Sequence, residues 1–232
     1  MAIDKCLILS AGMGTRMGAV GKVLPKPMFK IFEKTLLELQ VGRANTLGVK
    51  DIFVNTFHQK EMLIDFIKEK DLNVEVIVEE DLLGTGGAIY NLQRIHGDGI
   101  LLVLNCDQLL VWEDGFLDIA LKRLKEVSAV LFGMNVPKDK EYNRLVLDGD
   151  FLNGISPWKS NTSFNLTYSG VGLINLSRIK RDDDSRYAEF FNEVVDVGNR
   201  KTMVMTPDNL ECIDFGGKHL YRSGVREVFE IL

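Results

Sequence analysis

The sequence predicts an α/β protein of Rossmann-like form, with a mixed, mostly parallel central sheet flanked by helices. Two observations carry this. Strand-like and helix-like stretches alternate through the first half of the chain, the pattern of a sheet with crossover helices. An apolar run from Cys6 to Leu9 is followed at once by Ser10, Ala11, Gly12 and Gly14, a buried strand opening into a loop of small residues. No linker rich in Pro, Ser or Gly divides the 232 residues and no internal repeat is found, so one domain is expected.

In chain order, Thr35 to Leu47 places apolar residues at Leu36, Leu37, Leu39, Val41, Ala44 and Leu47, a helical distribution ended by Gly48. Asp51 to Asn55 reads as a strand, Lys60 to Lys68 as a helix and Asn73 to Val78 as a strand. Glu79 to Gly87 is expected as a loop, with Ala88 to Ile95 helical. Ile100 to Leu104 is continuously apolar, as in a strand buried on both faces. Phe116 to Leu124 is helical, and Ala129 to Phe132 returns to the sheet. Beyond about Val136 the chain turns to hairpins: Arg144 to Leu147 and Phe151-Leu152 flank Asp148-Gly149-Asp150. Thr167 to Leu176, Thr202 to Met205 and Glu211 to Phe215 read as strands. Tyr187 to Val197 and Lys218 to Phe229 read as helices.

Composition narrows the function classes. The net charge is −5, which gives no electrostatic footprint for nucleic acid or a membrane surface. The longest apolar stretches fall far short of a membrane span, and Leu7-Ile8-Leu9 is too brief for a secretory core. Cys6, Cys106 and Cys212 are an odd, scattered set without C-x-x-C spacing. They read as reduced thiols, so a cytoplasmic location is expected. His96 and His219 lack metal spacing, and no Gly-x-Ser-x-Gly or Cys/His arrangement suggests covalent catalysis.

The chemistry concentrates between Leu7 and Met28. Glycines let backbone approach a ligand closely, and a loop of N–H groups makes a concavity suited to phosphate. Thr15 adds a hydroxyl, Arg16 a forked cation, and Lys26 a point charge held between Pro25 and Pro27. Two commoner phosphate motifs fail. The dinucleotide fingerprint needs glycine at position 17, which is Met17, and the Walker loop fails at Arg16 and Val23. A second glycine cluster, Leu83-Gly84-Thr85-Gly86-Gly87-Ala88, sits at a strand-to-helix junction; by itself it fits a helix N-terminus as well as a ligand loop. Asp107, after the buried strand, sits where a hard cation bridging phosphates is held, or where a helix is capped.

Gly-x-Gly-Thr-Arg followed after a spacer by Pro-Lys-Pro-Met resembles the signature of the sugar-1-phosphate nucleotidyltransferases, which make nucleotide-activated sugars. The resemblance runs through the chain in motif order. It implies the fold of the nucleotide-diphospho-sugar transferases, with a nucleotide-binding half over about 1–135 and a sugar-phosphate half over about 136–232. Ala11, Gly12, Gly14 and Thr15 would cradle the triphosphate of an NTP (UTP, GTP or CTP), and Arg16 and Lys26 would be catalytic. The Leu83–Ala88 segment is similar to the family's L-G-T-x-G-A, which implies that Gly84 and Thr85 contact the base, while Glu79 matches a position that helps read it. Asn105-Cys106-Asp107 resembles Asn-Gly-Asp, with Cys106 a departure; Asn105 would meet substrate and Asp107 would bind Mg²⁺. Asp214, in Cys212-Ile213-Asp214-Phe215-Gly216-Gly217, would complete the metal site, although Cys212 stands where Trp is usual and Gly217-Lys218 replaces Thr-Pro.

On the sugar side, Leu166 to Gly172 is similar to a sugar-contacting strand, which nominates Tyr168 and Gly170. Lys159 stands near the place of a lysine that grips the sugar phosphate. The wording of that strand, and Asn55 with His58, resembles short-chain members such as N-acetylmuramate-1-phosphate uridylyltransferase and the heptose- and mannose-1-phosphate guanylyltransferases. The implied reaction joins a sugar 1-phosphate to an NTP with Mg²⁺ and releases pyrophosphate, for cell-wall or surface polysaccharide synthesis. The rival readings are a cytidylyltransferase for a non-sugar phosphate such as phosphocholine, and a non-catalytic nucleotide-sugar-binding regulatory relative. The sequence leaves the base, the sugar and the oligomeric state open, a homo-oligomer included.

Overall fold

A computed structural model describes residues 2–137, 142–157, 164–180 and 187–231. The first elements are β1 (Lys5–Leu9), α1 (Ala19–Val23), β2 (Lys30–Ile31), β3 (Lys34–Thr35), α2 (Leu36–Thr46), β4 (Asp51–Thr56), α3 (Lys60–Glu69) and β5 (Glu75–Val78). Then come α4 (Gly84–His96), β6 (Ile100–Asn105), β7 (Gln108–Val111), α5 (Phe116–Arg123) and β8 (Ala129–Pro137). The remainder is β9 (Arg144–Asp148), β10 (Phe151–Ser156), β11 (Phe164–Asn175), β12 (Thr202–Met205), β13 (Glu211–Asp214) and α6 (Lys218–Ile231). Among these residues no helix is long and apolar enough to cross a membrane.

The chain forms two compact units, each drawn from separated segments. The first holds Ile3–Leu83, Val103–Leu109 and Ile213–Leu232. Its strands run in the order β5-β4-β1-β6, the last through Val103–Asn105, with parallel ladders from Lys5↔Asp51 to Leu9↔Asn55 and from Phe53↔Glu75 to Thr56↔Val78. Parallel strands need crossover connections, which α2 and α3 supply. Thr35 opens α2 as a capping box: its hydroxyl accepts from Glu38 N at 3.2 Å, and Glu38 Oε2 accepts from Thr35 N at 2.8 Å. Leu7, Ile8, Leu36, Leu37, Val54 and Leu63 are fully buried, so the sheet and these helices share one apolar core.

The second unit holds Gly84–Leu102 and Leu110–Cys212, with Met1–Ala2. Its order is β6-β11-β8-β12-β10-β9, with Ile100–Leu102 supplying β6. Here β8 runs antiparallel to β11 and parallel to β12, while β10 is antiparallel to β9 and β12. The sheet is therefore mixed and the fold Rossmann-like, as expected. Phe132 packs edge-on against Trp112 and Phe116 at the centre of this unit, with ring centroids 5.3 and 4.9 Å apart.

Two expectations are corrected. Gly84–Gly87 is the first turn of α4 and not part of a loop. The helix expected over Tyr187–Val197 shrinks to one π-helical turn, Phe190–Val194. Its approach is held extended, with Glu189 at φ −82°, ψ 135°, because the Ala188 carbonyl accepts from Gly87 N at 3.2 Å. The brief elements α1, β2, β3 and β7 were not anticipated. Each is too short for periodicity to register.

Candidate active site

The loop after β1 is fixed at both ends within the first unit. At its start, Ser10 N donates to Asn55 Oδ1 at 2.7 Å. Gly14 then adopts φ 63°, in the left-handed region that favours glycine, and Thr15–Met17 forms a single 3-10 turn. Farther on, the loop doubles back over α1. A Cβ on Gly21 would stand 2.2 Å from the Gly14 carbonyl oxygen and 2.9 Å from Met17 Cβ, so only glycine permits that crossing. At the far end, His58 Nε2 donates to Gly21 O at 3.2 Å and Gln59 Nε2 donates to Lys22 O at 2.5 Å. A carbonyl can only accept, so the His58 bond requires the proton on Nε2. Ala11 is buried, while Gly12, Thr15 and Arg16 are exposed on the outer side of the loop.

Lys26 leaves a 3-10 turn over Lys26–Met28, and its ammonium lies 2.5 Å from Asp107 Oδ2 and 3.1 Å from Gly216 O. Asp107 follows β6, whose carboxyl end borders β1. The segment carrying Asp214 is drawn to it by main chain, with Phe215 N donating to Asp107 O at 2.8 Å. Asp214 Oδ1 in turn accepts from Gly216 N at 2.5 Å. These contacts crowd one point above Gly216. A Cβ there would be 2.6 Å from Asp214 Oδ1, 3.3 Å from Asp107 Oδ2 and 3.5 Å from Arg16 Nη1. Arg16, Lys26, Asp107 and Asp214 thus come together in one unit. Gly216, Gly21 and Gln59 were not anticipated. The first two had a signal in glycines flanking charged motif residues; Gln59 had none, since its contact is made through space.

Two residues expected to meet ligand are engaged internally. Glu79 is only 2% exposed: Asn55 Nδ2 donates to its Oε1 at 2.7 Å and Leu83 N donates to its Oε2 at 3.1 Å. Burial pushes its carboxyl above the usual carboxylate range, with the bonds from Asn55 and Leu83 pulling the other way. Both oxygens being occupied, Glu79 is not presented to a base. Asn105 donates through Nδ2 to Gln108 Oε1 at 2.8 Å, and its carbonyl accepts from the buried Gln40 at 3.1 Å. Cys106, buried beside Asp107, has its thiol pushed up to about 12 by desolvation.

In the second unit, Gly84 (φ 71°) and Gly86 lie hard against the chain at Tyr187–Glu189. A Cβ on either would stand 2.8 Å from Ala188 O. Close packing alone therefore explains these two glycines, and Thr85 sits half-buried between them. Tyr168 packs its ring on Phe190 and Phe191, with centroids 5.4 and 5.8 Å away. Its buried hydroxyl has no hydrogen-bond partner among the described residues. A Cβ on Gly172 would lie 3.5 Å from that hydroxyl, which points it into the strand and not outward. Gly170, buried with φ 81°, lies inside the irregularity between Tyr168 and Gly172 where β11 slips register on β8. Lys159 lies outside the described residues.

Around Gly216, two cations and two carboxylates meet glycine-rich backbone, a set matched to a polyanion together with a hard cation. Among the described residues no cluster of three or more His, Cys, Asp or Glu could cage a metal by itself. The donor set of two carboxylates, Asp107 and Asp214, brought together beside Gly216, fits Mg²⁺, which is usually bound by one or two carboxylates plus phosphate oxygens and water.

Residues 5–149 match the nucleotidyl transferase family. Among solved structures, HddC from Yersinia pseudotuberculosis superposes with a TM-score of 0.80 at 22% identity, covering 97% of this chain and 100% of that one. The same protein complexed with GMP-PN gives 0.81 at 22% identity and the same coverage. UDP-glucose pyrophosphorylase complexed with UDP-glucose gives 0.75 at 18% identity, covering 99% of this chain and 100% of that one. At these identities the likeness is one of fold. No curated protein matches the chain.

Proposed function

The chain belongs to the nucleotidyl transferase family, and we propose that it transfers a nucleotidyl group from an NTP to a sugar 1-phosphate with Mg²⁺, giving an NDP-sugar and pyrophosphate. The observation that carries this reading is the convergence of Arg16, Lys26, Asp107 and Asp214 on the space above Gly216. Binding a nucleotide needs fewer charges than that. Stabilising a phosphoryl group between an incoming and a departing anion calls for all of them.

An oxygen of the sugar phosphate forms a bond to the NTP α-phosphorus. The bond from that phosphorus to the bridging oxygen breaks, and the electron pair leaves with pyrophosphate. The attacking oxygen is already anionic, so no residue has to remove a proton. The protein's contribution is then position and charge. In this reading the backbone of Ala11, Gly12 and Gly14, with the Thr15 hydroxyl, cradles the triphosphate. Arg16, exposed at the loop's outer side, takes the departing pyrophosphate with its forked guanidinium. Lys26, reaching the same space from beneath, offsets charge between the attacking and attacked phosphates. Asp107 and Asp214 would hold Mg²⁺, which when bound neutralises charge on the α-phosphate oxygens.

A pyrophosphate-release assay over the four NTPs with a panel of sugar 1-phosphates tests the reading. GTP comes first, because HddC was solved with GMP-PN, and UTP second, because UDP-glucose pyrophosphorylase was solved with UDP-glucose. Release with at least one pair is expected. No release with any pair, under conditions where the protein is folded and Mg²⁺ is present, overturns it.

A further inference from the structure

We infer that Asn55 and Glu79 act together as positioning residues, a buried two-side-chain relay that sets the entry of the phosphate loop. The inference rests on the proposed nucleotidyl transfer and assigns Glu79 a task other than reading the base. Asn55 is 4% exposed and Glu79 2%. Three bonds connect them to main chain at both ends: Ser10 N donates to Asn55 Oδ1 at 2.7 Å, Asn55 Nδ2 donates to Glu79 Oε1 at 2.7 Å, and Leu83 N donates to Glu79 Oε2 at 3.1 Å. One end is therefore the residue before the glycine loop, and the other the residue before α4.

Counting donors shows why the pair is Asn and Glu. A backbone N–H enters the relay at each end, so both end atoms must be acceptors. An amide and a carboxylate between them offer three acceptor oxygens and one donor nitrogen, which satisfies all three bonds in one orientation. Two amides cannot do this, because somewhere a donor would face a donor. Two carboxylates would set like charges 2.7 Å apart at the Asn55–Glu79 contact. Glu79, with both oxygens accepting, therefore locks the Asn55 amide in the orientation that holds Ser10, and with it the start of the loop carrying Gly12, Gly14 and Arg16.

The pattern predicts a reciprocal rescue. Glu79→Gln leaves one donor-to-donor contact, and Asn55→Asp leaves two facing carboxylates. The double variant N55D/E79Q restores every bond with the roles exchanged. The new carboxylate at position 55 accepts both from Ser10 N and from the new amide at position 79, and the oxygen of that amide accepts from Leu83 N. Each single variant, assayed well below its own melting temperature, is expected to lose about tenfold to a hundredfold in kcat/KM for NTP, the scale of one unmet buried polar contact. The double variant is expected to recover to within a few-fold of the starting protein, and the ranking of the four NTPs should stay unchanged throughout. A changed NTP ranking in E79Q would make Glu79 a base reader and overturn the inference. So would a double variant as impaired as the singles, or single variants that keep full kcat/KM and lose only thermal stability. If the unsubstituted protein releases no pyrophosphate from any NTP, the proposed function fails; NTP binding isotherms on the same four proteins then decide the relay by the same criteria.

Discussion

Lys26 donates to Asp107 across 2.5 Å, with the two side chains only 14% and 18% exposed. This close, largely buried pair of opposite charges engages one of the two carboxylate oxygens of Asp107. If Asp107 held the cation in the proposed reaction, ammonium and cation would draw on the same carboxylate, and a shift toward the cation would leave Lys26 for phosphate. Lys26→Met should therefore bind Mn²⁺ more tightly than the unsubstituted protein when no nucleotide is present, and Asp107→Asn should bind it more weakly. Titration of free Mn²⁺ by electron paramagnetic resonance reads both. Unchanged or weaker affinity in Lys26→Met would show that the two cations do not compete.

Arg16 is exposed and its guanidinium lies near the space above Gly216, so its loss removes no core packing. Arg16→Ala should keep the melting temperature and lower kcat by roughly 10²–10³, the scale for one lost transition-state donor. Pyrophosphate release beside a thermal melt checks this. A variant within a few-fold of full activity would remove Arg16 from the transition state.

Gly21→Ala would drive a methyl group to 2.2 Å from the Gly14 carbonyl oxygen, with backbone on both sides of the clash. The loop has to lift off α1, which shifts Gly12 and Arg16 while leaving the core beneath β1 intact. We expect far-UV circular dichroism to stay the same and stabilisation by NTP to be lost. The unsubstituted protein should gain about 2.7 kcal/mol at 100 times its Kd. Equal stabilisation of both proteins by NTP would show that the loop tolerates the displacement.

The thiol of Cys106 is buried and pushed up to about 12 by desolvation, and Cys6 is shifted in the same direction by the same cause. Both stay protonated and covered at pH 8, whereas Cys212 is partly exposed. Native protein treated with iodoacetamide should take one label, at Cys212, and unfolded protein should take three. Peptide mass spectrometry reads the sites. Native labelling of Cys106 would mean that the end of β6 opens in solution.

Most of the longer strands and helices were legible because burial writes itself into the sequence as runs or periodic patterns of apolar residues, plainly so for Ile100–Leu104. The loop after β1 was legible for a local reason: glycines beside Thr15 and Arg16, then Lys26 between two prolines, carry their chemistry in composition. Glu79 shows where that ends. A carboxylate five residues before a glycine cluster reads equally well as a ligand contact or a surface charge. Only the placement of Asn55 and the Leu83 amide against it decides that both oxygens are used inside. The same holds for Gly84 and Gly86, which suggest a ligand loop until Ala188 is found lying against them.

By itself the sequence determined the fold class and the glycine-rich, cationic character of the loop after β1, while Asp107 and Asp214 were nominated by resemblance to a family. Those properties depend on side-chain size, charge and near-neighbour spacing, all fixed along the chain. The tertiary structure decided which of those residues meet. Asp214 reaches Asp107 because Phe215 N bonds to the Asp107 carbonyl, and Gly216 leaves the space that their oxygens and Arg16 surround. Hydrogen bonds between residues far apart in sequence leave no periodic trace, so the convergence that gives the site its chemistry became visible only once the chain was folded.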